Sequence, residues 1–559
     1  MPTKTTSEIL TPPAGFDVNN DGVYAYINPK KGSPVWERIS DWICVRAITR
    51  DIYGQNHGRL CEFVTIDSQR REIIIEAKRF ATGGTAIIAE LLSLGFTIEQ
   101  TPGAAKQLIS LLSQWIPEKR ITTTEKLGWL KQDAFVLPST KVIGSPLVKF
   151  TGDKDLNAKS SCGTLEGWRE NVASLAVGNA PMIVAISAGF SGPLMEPLGL
   201  ESGGIHFWGG SSCGKSTLLR TAASIWSSPN EIASWRSTDT AFETQAKNAN
   251  GMVLCIDEMG QASAQVVGET IYMLGNNRGK ARGRANGKST PITSWHLPVL
   301  STGEICVATK LAEGNKKVQA GQHVRLLGIR VDEYEHGAFD ELHDKQSGRL
   351  LSEYLTAGTK THYGVAGPEF LRKFFLNVPA RLEFADTLIQ RFHRVAEKAH
   401  SGSGIGVEGR ARTRFAAIAA AGEFATRFGL TGWSTYTATS ACLELFGKWL
   451  SEQQDEDSPE ALHRCIRGFL MNNAEQIQSL DAGGQYVEQP LAWEKNGYLF
   501  LTREIWDQIF DRHDPQLVAR ILRAYGSLEP GDGRNILSKM PTGAGANRGY
   551  KVSLSGFQE

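Results

Sequence analysis

At 559 residues the chain is too long for one core, and domains of about 150 residues suggest three or four. Its 41% hydrophobic and 21% charged content is ordinary for a soluble globular protein. A net charge of +1 excludes a global pull toward nucleic acid, so any such binding must come from local patches. The eight cysteines lie scattered without a C-x-x-C pair, which argues against a metal cluster or a disulfide framework and for a reducing cytoplasm. The first residues, Met1 to Thr6, lack the apolar core of a secretory signal.

The first segment, residues 1–165, reads as a mixed α+β domain. Trp42–Ile48 and Leu60–Ile66 have strand composition, and Glu72–Glu76 follows as the second arm of a hairpin. Thr85–Leu94 and Ala104–Trp115 carry helical periodicity, and residues 128–130 and 134–137 suggest a small hairpin. No catalytic constellation occurs there, so assembly or substrate contact is the expected role. The apolar stretch Val172–Leu200 is interrupted by Asn179, Pro181, Gly189 and Gly192 and falls short of the ~20 unbroken residues a membrane span needs. It is expected to be a buried helix with its turn.

A nucleotide-binding core is expected over residues 166–345. Gly209, Gly210, Ser211, Ser212, Cys213, Gly214, Lys215 and Ser216 fit G-x-x-x-x-G-K-[ST], followed by Thr217. Gly204–Trp208 before it reads as a strand and Ser216–Trp226 after it as a helix, the context a phosphate-cradling loop requires. The glycines let backbone N–H groups approach phosphate oxygens, and the helix N-terminus adds its dipole. Lys215 is expected at the β- and γ-phosphates of ATP, and Ser216 on Mg²⁺. The apolar run Gly251–Ile256 delivers Asp257 and Glu258 at a strand's C-terminal end, where ligands of α/β sheets sit. Asp257 would hold Mg²⁺ through water and Glu258 would activate the attacking water, which favours a hydrolase over a kinase.

Trp295–Glu304 reads as a further core strand that starts at Val299, because Pro298 removes a ladder donor. Ser301 or Thr302 at its end is the candidate γ-phosphate sensor. Arg325 opens the next apolar strand and is either an arginine finger reaching a neighbouring subunit or a partner in an intrachain ion pair. Arg278, Lys280, Arg282 and Arg284 are spaced by two and would share one face of an extended basic hairpin that holds a phosphate backbone. Alternatively they form a solvated loop or serve an adjacent subunit's nucleotide.

Residues 346–475 are expected to form a helical lid, with helices at Ala380–Ala399 and Arg412–Phe428 around a Ser-Gly stretch. Residues 476–559 outline a winged-helix-like domain: helices at Arg503–Phe510 and Gln516–Tyr525, then strands at Ile536–Met540 and Tyr550–Leu554. Arg534, Lys539, Arg548 and Lys551 make this end basic, for duplex DNA or as part of a plain packing module.

Several of these pieces, taken in order, resemble one family. The phosphate loop, Trp235–Glu243, Asp257–Glu258, Tyr272–Leu274 ahead of the basic run, Ser301–Glu304 and Gly321-Gln322-x-Val324-Arg325 look like domain of unknown function 927. Gly128-Trp129 and Phe135–Pro138 extend the likeness toward the N-terminus. That family occurs in phage, plasmid and integrative elements, and some members are similar to AAA+ replicative helicases of the minichromosome-maintenance type. The resemblance implies a P-loop NTPase core of the AAA+/ASCE kind in a cytoplasmic, homo-oligomeric, ATP- and Mg²⁺-dependent DNA helicase ring, with a primase or other replication protein as possible partners and no membrane. Lys215, Ser216, Asp257 and Glu258 take the shared nucleotide roles. Arg325 matches the finger position less closely, and Arg410, Arg412 and Arg414 share the position of a second sensor. The competing expectation is an ATP-gated regulator or protein remodeller that does not unwind DNA.

Overall fold

The computed structural model describes residues 11–27, 33–152, 161–280, 293–312, 325–399, 407–456, 459–481, 486–511, 513–524, 526–529, 531, 537–541 and 548–554. The chain forms two compact units, Met1–Ala158 and Lys159–Glu559.

The first unit is built on a five-stranded sheet. Its order is Val148–Phe150, Arg120–Thr124, Ile43–Asp51, Gly58–Val64, Arg70–Glu76. The last three strands form the expected antiparallel meander, with Ile43 opposite Phe63 and Leu60 opposite Ile74. Helix Ala104–Gln114 buries Ala104, Leu108, Leu111 and Leu112, the i, i+4, i+7, i+8 stripe of an amphipathic helix. With Ile87 and Leu91 of helix Thr85–Ser93, these residues close over Val45, Phe63 and Ile75. The small hairpin is present as Gly128–Leu130 against Ala134–Val136, with Trp129 and Phe135 edge to face at 5.6 Å.

The second unit is α/β. Five core strands follow in the chain: Gly203–Trp208, Ala233–Ser234, Leu254–Asp257, Pro298–Gly303 and Leu326–Arg330. They are all parallel, and across the sheet they stand in the order second, third, fourth, first, fifth. Parallel strands covered on both faces read as continuous apolar runs, which is why these segments were legible. The fourth strand corrects one expectation, since it begins at Pro298 opposite Gly203 rather than at Val299. As the first residue of its strand, Pro298 can lack an N–H without breaking the ladder. At Gly204 a methyl group would lie 1.6 Å from the Val299 carbonyl oxygen. Gly204→Ala is therefore expected to destabilise the unit by about 3 kcal/mol or more, read as a lowered denaturation midpoint against wild type.

All sixteen residues of helix Ala180–Met195 are buried, Pro193 included. Gly192 lets it touch the Gly251–Met252 backbone, and Gly189 lets it meet Ile225. On its other side packs helix Val407–Arg427, whose Ala416, Ala417, Ala419, Ala420 and Ala421 permit close approach and whose Gly422 faces Ser187. Phe190, Phe370, Phe374, Phe424 and Phe428 form a connected ring cluster between these helices and Ala366–Phe374. Among the described residues no helix is long and apolar enough to cross a membrane.

The C-terminal part has its own core, centred on Trp506, which stacks on Tyr550 at 3.9 Å. Helices Arg503–Ile509 and Pro515–Ala524 precede an antiparallel pair, Ser538–Lys539 with Arg548–Ser553. Arg534 and the tip between the paired strands lie outside the described residues.

Candidate functional site

The parallel register brings the C-terminal ends of the core strands together. The first strand ends at Trp208, beside Gly303 on one side and Arg330 on the other. The loop from Gly209 to Ser216 leaves it and enters helix Lys215–Ala223. Two backbone positions demand glycine. Gly209 has φ 151° and a side chain there would meet Asp332, while Gly214 has φ 100° and one would meet Phe339. The segment after the fifth strand props the loop from beneath: Ala338 N–H donates to Cys213 O at 2.7 Å, and Gly337 allows the close approach. Gly210, Ser211 and Ser212 are exposed, Cys213 and Ser216 half-buried, and Thr217 buried.

Lys215 Nζ lies within the curl of the loop and donates to the carbonyls of Gly209, at 2.9 Å, and Gly210. Ser216 Oγ donates to Asp257 Oδ1 at 3.3 Å, across from the end of the third strand. Thr302 donates its hydroxyl to the same carboxylate oxygen and accepts the Glu258 N–H at 3.3 Å. Glu258 adopts φ 64°, a left-handed conformation uncommon for a residue with a side chain. Lys215, Ser216, Asp257, Glu258 and Thr302 therefore converge on one locus. Its hydroxyl and carboxylate oxygens are hard donors of the kind Mg²⁺ takes, and its glycine-shaped backbone cradle suits a polyphosphate.

Ser301 lies elsewhere. It is fully buried, accepts from Trp235 Nε1 at 2.7 Å and sits 3.0 Å from His206 Nδ1, whose other nitrogen lies 3.0 Å from the Ile305 carbonyl. Burial, aided by the Lys215 charge, pulls His206 down to about 4, so its ring is neutral near pH 7. Strand alternation separates the two hydroxyls: Thr302 faces the carboxylates and Ser301 the packed side.

Arg325 stands at the opposite end of the sheet from the loop, just before Leu326, which neighbours the first strand's start at Gly204. Its guanidinium donates to Asn276 Oδ1 at 2.8 Å and lies over the Tyr272 ring, 4.8 Å from the centroid. The basic segment begins at this same end. Gly279 N–H donates to Thr293 O at 2.9 Å, and Arg278 bridges Ser294 antiparallel, so the two arms pair at their base. Arg278 is exposed there, whereas Lys280 pairs with Asp239 at 2.6 Å and has Glu269 at 3.8 Å. Arg282 and Arg284 lie outside the described residues. Arg410 is exposed, Arg412 pairs with Glu397 at 2.8 Å, and Arg414 is buried at the strand starts.

Sequence reasoning missed Asp332. It accepts the Gly210 N–H at 2.8 Å and pairs with Arg330 at 2.8 Å, and these contacts hold its carboxyl below the usual range against the opposing effect of burial. It also missed His206 and Trp235 as the buried supports of the fourth strand. Trp235 was visible only as part of the family's Trp235–Glu243 stretch.

The second unit is thus an α/β fold that sets a glycine-shaped loop beside two carboxylates, Asp257 and Glu258, at the end of its third strand. The profile of Domain of unknown function (DUF927) matches residues 16–293 of the chain. A solved structure described as an active helicase, Cch of SCCmec type IV, shares the fold. Its TM-score is 0.68 at 15% identity, over 98% of each chain. NtrX from Brucella abortus covers 23% of this chain and 32% of its own at 17% identity, with a TM-score of 0.18, and carries no argument. No curated protein matches the sequence significantly.

Proposed function

We propose that the chain is an ATP-hydrolysing DNA helicase or translocase of the AAA+ kind, acting as a homo-oligomeric ring in replication of a phage or mobile element. The observation that carries the reading is the strand order. The acid-bearing third strand and the loop-bearing first strand flank the fourth, so Thr302 stands between loop and carboxylates. That arrangement fits an additional-strand P-loop NTPase core over residues 166–345. A helical lid over 346–475, a winged-helix-like end over 476–559 and an N-terminal domain over 1–165 complete the proposed organisation. Likeness to a helicase over nearly the whole chain supports the same direction.

In this reading the loop backbone and Lys215 bind and orient the triphosphate. Ser216 and Asp257 hold Mg²⁺, which supplies charge neutralisation on the phosphate oxygens when bound. Glu258 orients a water and takes its proton, and Thr302 fixes both carboxylate-bearing residues. Arg325, facing away from its own loop, serves the neighbouring subunit's phosphates. Arg278, Arg282 and Arg284 contact the DNA backbone, with Lys280 held by Asp239 as a strut.

The test is strand displacement on a forked duplex with ATP and Mg²⁺. A purified oligomer that hydrolyses ATP but neither unwinds the fork nor responds to DNA removes the reading. The Lys280–Asp239 pairing favours the alternative, an ATP-gated regulator or remodeller. That alternative gains if neutralising Arg282 and Arg284 leaves DNA affinity and its salt slope unchanged.

Two neighbouring hydroxyls separate catalysis from packing. Ser301→Ala leaves Trp235 Nε1 without its acceptor and is expected to cost about 1–3 kcal/mol of stability, with hydrolysis per folded molecule retained. Thr302→Ala is expected to do the reverse, slowing phosphate release while the unfolding midpoint moves less. Parallel denaturation and phosphate-release measurements distinguish the two.

A further inference from the structure

At the end of the sheet opposite the phosphate loop lies a cavity of about 170 Å³, far more than the roughly 10–15 Å³ that one water needs. Gly203 and Pro298, the first residues of two core strands, form its floor, and helix Val407–Arg427 forms one wall. Met195, Leu200, Ala417 and Ile418 give it an apolar lining. Into this lining comes Arg414, only 9% exposed, whose Nε and Nη1 have no hydrogen-bond partner among the described residues. A guanidinium buried with unmet donors is costly, and native structures rarely leave one so.

The arrangement is built into the backbone. Gly203 has φ 139°, and a side chain there would lie 2.2 Å from both Arg414 Nη1 and the Arg325 carbonyl. Only glycine lets the guanidinium rest against the strand start. The surrounding charge is also uneven, because Arg414 feels two cations, Arg325 and Arg410, against one anion, the exposed Glu201. Burial is the first cause, Glu201 partly offsets it, and the two cations add to it, so that Arg414 is brought down to about 10, still protonated near neutral pH.

We infer that this cavity is a binding site for a compact organic acid, with its carboxylate facing Arg414 and Arg410 and its aliphatic body on Met195, Leu200, Ala417 and Ile418. The apolar lining selects the class. A carboxylate on a short hydrocarbon uses both the guanidinium and the wall, whereas a strongly hydrated phosphate uses only the first. The site lies at the opposite end of the sheet from the chain's own phosphate loop, so it is distinct from the proposed nucleotide pocket and does not rest on that reading. Its occupant would join the helix bearing Arg414 to the strand starts beside Arg325.

Thermal unfolding of the full chain in butyrate, inorganic phosphate or chloride at matched ionic strength tests the site. Butyrate is expected to raise Tm by about 2–4 °C over chloride, and phosphate to give no such rise in Lys215→Ala, where the Gly209–Ser216 loop no longer competes for the anion. The rise should vanish in Arg414→Met, in the exposed-site variant Arg410→Gln, and in Ala417→Leu, which fills the cavity without altering charge. It should persist in Lys215→Ala, which disables the phosphate loop. Absence of a butyrate effect in wild type, an equal effect from phosphate in Lys215→Ala, or full retention in both Arg410→Gln and Ala417→Leu would overturn the inference. Those last two variants decide the matter if Arg414→Met fails to fold.

Discussion

Glu258→Gln is expected to slow ATP hydrolysis by about 100- to 10,000-fold while ATP remains bound, the contribution typical of a positioned general base. The third strand ends at Asp257, and the chain then takes a left-handed turn at Glu258. Such a conformation on a residue with a side chain costs on the order of 1–3 kcal/mol and persists only where the surroundings over-determine it. The Thr302 hydroxyl accepting the Glu258 N–H is one such restraint, and the Trp235 N–H bonded to Asp257 O at 3.1 Å is another. Glutamine keeps the size and the backbone of this turn but cannot take a proton from water. Lys215→Ala, by contrast, is expected to abolish turnover. Single-turnover hydrolysis measured beside nucleotide retention checks both variants. Rapid hydrolysis by Glu258→Gln would mean that a different group activates water.

Arg325→Ala is expected to lower hydrolysis by about a thousand-fold or more, the lower range for loss of an arginine finger, with each protomer's own ATP contacts unchanged. The reason is placement. Arg325 precedes the fifth strand, whereas the phosphate loop follows the C-terminal end of the first, parallel strand. The sheet itself separates the two within one chain, so in the proposed ring the arginine would meet the phosphates of a neighbouring subunit. Its half-buried side chain is held by the hydrogen bond to Asn276 and by the Tyr272 ring beneath it. A mixing experiment is decisive. Lys215→Ala protomers keep an intact finger and Arg325→Ala protomers keep an intact loop, so combining two inactive preparations is expected to restore part of the hydrolysis. No recovery in mixed oligomers would assign Arg325 to intrachain packing.

Legibility followed locality. The phosphate loop, its strand and its helix are contiguous, so glycine positions and apolar runs sufficed to read them. The meander of the first unit and the buried helix Ala180–Met195 were equally open, because periodicity is a local property. Contacts made across the sheet were not. Asp332 lies 122 positions from Gly210, and no composition rule links them. The neighbouring hydroxyls of Ser301 and Thr302 were indistinguishable until the strand's facing was known. Lys280 looked like one member of a free basic comb because the acids around it, Asp239, Glu243 and Glu269, come from earlier helices. Pro298 misled by one residue, since its penalty applies inside a strand and not at its first position.

The wholly enclosed helix Ala180–Met195 constrains how the protein can be divided or evolve. It contributes no residue to the converging polar locus, yet the sheet-side backbone at Gly251 and the distant segment Val407–Arg427 both press on it. A chain truncated after the fifth strand would strip one side of this greasy rod and leave its Ser187–Met195 half facing water. Such a fragment should precipitate or recruit a chaperone instead of yielding a minimal motor, and gene fusions should tolerate junctions far better before residue 159 than anywhere between residues 345 and 407.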